Sequence, residues 1–189
     1  MAEVLLFHHA QGQTPGFLAF TDELRAAGHT VHAPDLYDGK TFPSIDEGVA
    51  YAKEVGFDTI LERGRLAAES LPSELVYAGF SLGVMPAQLL AQTRPGAKGA
   101  MLFSAAIPAS EFGGPWPEGM PLQIHMMEDD PWAEEDLPAA RELEETAGAE
   151  LFLYPGDQHL FADDSLPDYD EAAATLLKQR VREFLDKVE

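Results

Sequence analysis

Apolar residues fall into two alternating rhythms along the chain. Short, nearly unbroken apolar runs occupy residues 4–8, 75–79, 99–104 and 122–127, the pattern of strands covered on both faces. Residues 29–33, closed by Pro34, and residues 151–154 supply two further strands. Between these runs apolar positions recur three or four residues apart, as on helices with one buried face. Phe17, Phe20 and Leu24 form such a stripe on a helix expected over 17–27, with Gly28 as its stop. Helices are expected over 45–55 and 58–71, with Gly56 and Pro72 as breaks, and over 82–93, where Pro86 lies in the first turn and its missing N–H is harmless. A helix with an acidic outer face is expected over 138–147. The last, over 170–187, is expected to bury Ala173, Leu176, Leu177, Val181, Phe184 and Leu185.

Strands alternating with helices imply right-handed crossovers and a mostly parallel sheet with helices on both sides, a three-layer α/β architecture of about six strands. No repeat or long linker divides the chain, so residues 1–189 are expected to form one domain. Ligands of such sheets bind beyond the carboxyl ends of the strands. Chemistry is therefore sought just after each strand.

Charge narrows the partners. The 33 acidic residues outnumber 12 basic ones, for a net charge of −21 and a sequence pI near 4.4. Such a surface repels phosphate backbones and anionic lipid, which argues against nucleic acid and membrane partners. With no Cys, thiolate metal sites, iron–sulfur clusters and Cys nucleophiles are excluded. The residues following Met1 show neither a basic region nor a long apolar run, so a cytoplasmic location is expected. No cofactor motif emerges: the turn after the first strand lacks a phosphate-cradling glycine loop, and the pair His8 and His9 has no visible third metal ligand.

One pentapeptide carries chemistry. Gly79-Phe80-Ser81-Leu82-Gly83 fits G-x-S-x-G where a strand meets a helix, and a sharp turn there lifts the Ser81 oxygen clear of the sheet. A serine hydroxyl needs a base to take its proton, and the base needs a carboxylate to fix its tautomer. In hydrolases with this turn the acid and then the histidine follow the serine. His159 lies in a loop directly past the sixth strand, whereas His125 falls inside a strand and His29 and His32 on the second strand. Past the fifth strand, Glu128-Asp129-Asp130-Pro131 offers the acid; Asp130 is favoured because the loop turns at Pro131, with Asp129 as the alternative. The backbone N–H of Leu82 and one from the first turn, Ala10 or Gln11, are the expected oxyanion donors.

Together these segments resemble the dienelactone hydrolase family of the α/β-hydrolase superfamily. The resemblance is carried by residues 4–12, by Ala33-Pro34-Asp35-Leu36-Tyr37, by residues 79–83 and 125–131, and by Gly156 to Phe161 with its Gly-x-x-His-x-Phe. It implies a minimal α/β-hydrolase fold, strand order 2-1-3-4-5-6, a Ser81, Asp130, His159 triad, and hydrolysis of an ester or lactone. The chain departs from the full family fold in one respect: with its first strand expected from residue 4, no room is expected for the leading antiparallel hairpin.

Departures from the family pattern shape the substrate expected. Ser81 replaces the family's Cys nucleophile, His9 or Ala10 stands where a Glu contacts it, and Ala162-Asp163-Asp164 fills the region of an Arg that holds a carboxylated substrate. An acidic rim there would repel anions. The expectation is thus a small neutral or weakly polar ester, lactone or thioester. The loop over 107–120, with Phe112 and Trp116, together with Tyr37 and His9, is expected to wall the pocket. A non-catalytic small-molecule-binding protein, or an acyltransferase using the same three residues, would be the alternatives on this fold.

Overall fold

The computed structural model describes residues 1–188. Among them, six strands form one sheet in the order β2-β1-β3-β4-β5-β6, every neighbouring pair parallel. They are β1 (Glu3–Phe7), β2 (Thr30–His32), β3 (Val76–Phe80), β4 (Gly99–Phe103), β5 (Leu122–Met127) and β6 (Glu150–Tyr154). The helices are α1 (Pro15–Ala26), α2 (Ile45–Val55), α3 (Phe57–Glu69), α4 (Val84–Thr93), α5 (Leu137–Ala147) and α6 (Glu171–Lys187). This is the α/β-hydrolase fold.

The strands' alternation divides the core in two. Leu5, Phe7 and Tyr77 point to one face, where they pack with Ile60 of α3, Leu90 of α4 and Leu143 of α5. Val4, Leu6, Val76 and Ala78 point to the other, against Phe17 and Phe20 of α1 and Leu177, Val181 and Phe184 of α6. Side chains two apart share a face, so each buried strand feeds both cores.

Element boundaries shift where local chemistry decides them. Helix α1 starts two residues before the expected position because the Thr14 hydroxyl accepts the Phe17 N–H and Pro15 suits the first helical position. Asp170 caps α6 through the Ala173 N–H. Leu176, expected in the core, is 39% exposed, and its neighbour Leu177 takes the buried stripe.

Register sets the site. Phe7 pairs with Gly79, Phe80 with Phe103, and Met127 with Tyr154, so five strands end nearly level. Their following residues crowd along one carboxyl edge. Among the described residues no helix is long and apolar enough to cross a membrane.

Candidate active site

Ser81 stands at the junction of β3 and α4 with φ +50°, a left-handed conformation that costs a non-glycine residue on the order of 1 kcal/mol. The flanking glycines make that turn possible. A Cβ on Gly79 would lie 2.1 Å from the Gly83 carbonyl oxygen, and one on Gly83 would lie 2.5 Å from that of Phe7. A one-turn 3-10 segment, Ser81–Gly83, then leads into α4.

The Ser81 Oγ–H donates to His159 Nε2 across 2.6 Å, and His159 Nδ1–H donates to Asp130 Oδ2 across 2.5 Å. These bonds assign the imidazole's tautomer, with its free lone pair facing Ser81. His159 and Asp130 are buried, so little water competes for either bond. Asp130 is itself oriented, because its Oδ1 accepts the Trp132 N–H at 2.9 Å. Asp129 is exposed; its N–H donates to the Gly156 carbonyl, which with the Glu128 N–H on the Tyr154 carbonyl joins the acid- and histidine-bearing loops.

Sequence reasoning missed a supporting residue. Ser104, just past β4 with φ +62°, donates its hydroxyl to the His159 carbonyl at 2.6 Å and so pins the histidine loop from beneath. Its only sequence signal is its position, one residue past a strand on the carboxyl edge.

Of the two first-turn amides expected as oxyanion donors, that of Gln11 is already engaged. Gln11 N–H points to His9 Nδ1 at 3.2 Å, and the Gln11 side chain and carbonyl both bond to Phe42, so Gln11 braces the turn and its amide is engaged. Ala10 lines the same pocket as Ser81 and Leu82. Leu82 N–H lies in the opening turn of the helical segment, where amides have no intrahelical acceptor.

The pocket over Ser81 encloses about 340 Å³. Ile45 and Val49 of α2, Phe57 of α3, Met85 of α4, Ile107 after β4 and Trp132 after β5 give it a largely apolar lining. The loop expected over 107–120 reaches it through Ile107, whereas Tyr37, Trp116 and His9 do not line it. Tyr37 is fully buried among His8, Phe42 and Tyr51, its hydroxyl on the Gly48 carbonyl. Trp116 is buried too, its indole N–H on the Met120 carbonyl. His9 turns into the protein, toward Asp163. Tyr37 and Trp116 serve packing, and the walls come from α2, α3 and α4 together with Ile107 and Trp132 of the loops after β4 and β5.

Of the expected acidic rim, Asp164 is exposed but does not line the pocket over Ser81. Asp163 is buried: it accepts from His9 Nε2 at 2.7 Å, from the Thr14 hydroxyl, and from the Ser165 hydroxyl at 2.6 Å. Burial pushes its carboxyl up, but these three donors more than offset that and hold it below the ordinary carboxylate range. His8 is a second clamp, donating from Nδ1 to the His9 carbonyl and accepting the Leu36 N–H at Nε2; burial pulls its pKa down to about 4. Both rings therefore spend their nitrogens on structure.

A family model described as the dienelactone hydrolase family matches residues 1–189. No curated protein matches the sequence. Among solved structures, a dienelactone hydrolase-like promiscuous phosphotriesterase from metagenomic libraries is similar at TM-score 0.73 and 17% identity, covering 100% of this chain and 87% of that one. A dienelactone hydrolase from Anabaena variabilis is similar at TM-score 0.66 and 17% identity, covering 97% of this chain and 84% of that one. At such identities the structural likeness speaks to the fold, and the family match over the full length carries the assignment: the chain belongs to the dienelactone hydrolase family of α/β-hydrolases.

Proposed function

We propose that the protein is a serine hydrolase that cleaves a small ester or lactone through an acyl-enzyme on Ser81. The observation that carries this reading is the continuous hydrogen-bonded chain from Ser81 Oγ through His159 to Asp130.

As Ser81 Oγ bonds to the substrate carbonyl carbon, its proton passes to His159 Nε2, and Asp130 stabilises the imidazolium that forms. The carbonyl oxygen gains the negative charge and is held by the amides of Leu82 and Ala10. Collapse of this intermediate breaks the carbon–oxygen bond to the leaving group, which takes the proton from His159 Nε2. Water, deprotonated by the same nitrogen, then attacks the acyl carbon and releases the acid and Ser81. The modest pocket limits the substrate's size, and its apolar walls favour a short hydrocarbon portion.

Treatment with a fluorophosphonate probe followed by mass spectrometry tests this. A covalent adduct on Ser81, with nitrophenyl acetate hydrolysis abolished in Ser81→Ala, is the expected result. An unlabelled folded protein, or equal turnover by the variant, would overturn the proposal.

A further inference from the structure

One carboxylate in the pocket has no role in the chemistry just described. Asp136 lines it together with Ser81 and His159. It occupies the N-cap position of α5, yet its side chain caps nothing, unlike Asp170 at the start of α6. Among the described residues, no Lys or Arg lines this pocket and none forms an ion pair with Asp136. Burial raises its pKa to about 6; an Ala106 backbone N–H and nearby His159 oppose that rise, while Asp130 and Glu135 add to it. At neutral pH the group is still mainly ionised.

A carboxylate desolvated against apolar walls is unfavourable unless something pairs with it. The protein offers one amide and no cation. What it does offer is an aromatic face: Trp132, 44% exposed, lines the same pocket with its ring centroid 6.3 Å from that of His159, and Phe57, 38% exposed, lines it from α3. A carboxylate sharing a pocket with exposed aromatic rings is the chemistry that holds an alkylammonium group, through Coulomb attraction and the negative faces of the rings. An anion would find no partner there.

Resting on the hydrolase reading above, we infer that Asp136 and Trp132 form a cation subsite, and that the favoured substrates are esters bearing an ammonium group. Asp136 is a specificity-determining residue in this scheme. It moves no proton and touches no reacting bond. This replaces the neutral substrate expected from sequence with a positively charged one, in keeping with a protein of net charge −21, whose field draws cations toward it.

The test compares kcat/KM for acetylcholine with that for its uncharged isostere, in which carbon replaces the ammonium nitrogen. Both esters share the triad, so its titration cancels in the ratio. The wild type is expected to favour the cationic ester about tenfold at pH 7.5, mainly through KM, with the ratio falling as pH drops to 5 and Asp136 is protonated. Asp136→Asn should lower the ratio about tenfold, and Asp136→Glu should restore part of it. A wild-type ratio at or below one, or a ratio unchanged in Asp136→Asn, would overturn the inference. So would turnover of neither ester by a protein whose Ser81 still reacts with the fluorophosphonate. Loss of that labelling would instead strike the hydrolase reading itself.

Discussion

His9 and Asp163, 154 positions apart in sequence, meet at 2.7 Å in the protein interior and join the turn after β1 to the segment after His159. His9 gives its Nε2 proton to Asp163 and accepts the Gln11 amide on Nδ1. The turn after β1 and the histidine-bearing segment are thereby fastened to each other.

Removing one partner of this pair leaves the other buried without a complement. Asp163→Ala is expected to lose about 3 kcal/mol of stability, measured by denaturant unfolding at pH 7. Because the folded carboxyl titrates below its unfolded value, its contribution is complete above the unfolded pKa and disappears as pH falls through the folded one. The gap between wild type and variant should therefore narrow below about pH 4.

The two neighbouring aspartates should separate cleanly. Asp130→Asn is expected to lower kcat by roughly three to four orders of magnitude, since an amide no longer enforces the tautomer with a lone pair facing Ser81. Asp129→Asn, exposed and bonded only through its backbone, is expected to stay within twofold. Steady-state hydrolysis of a nitrophenyl ester reads both.

Acid should loosen the fold well above the carboxylate range. His8 must stay neutral to accept the Leu36 N–H, and His125 to accept from the Tyr154 hydroxyl while donating to Gln123. Burial lowers their pKa values to about 4 and about 3. Between about pH 6.5 and these values the unfolded chain binds more protons than the native one, so stability falls as pH falls. Tm is expected to decline steadily from pH 7 to pH 4.5, and His125→Gln to flatten part of that slope.

Asp136 acts with the opposite sign. Its folded pKa, raised by burial from 3.8 to about 6, makes the native state bind more protons in that interval, so its ionisation costs stability as pH rises. Asp136→Asn should raise Tm at pH 7 to 8, with the difference vanishing below pH 4. Such a gain is what removal of a group kept for binding produces.

Much of the scaffold was legible because its signals are local. Apolar runs, glycine stops and proline placement marked every strand and helix, with boundaries moved by a residue or two where caps such as Thr14 decided them. Ser81, Asp130 and His159 each follow a strand, and parallel register brings such positions to one edge. The pocket was not legible. Ile45, Val49, Phe57 and Asp136 lie on three helices that converge only after folding, and nothing near them in sequence marks a cavity. Ser104 was hidden for the same reason, since its partner is a carbonyl 55 residues away.

Helix α2 carries a glycine at its point of nearest approach to the first turn. A Cβ on Gly48 would lie 2.0 Å from the Ala10 carbonyl oxygen, closer than any atoms tolerate. That helix is consequently packed directly against the Ala10 backbone and can come no nearer to it. Room for bulkier acyl groups would come most directly from trimming Ile45 or Val49, because moving the whole helix outward would strip the turn after β1 of the surface it rests on.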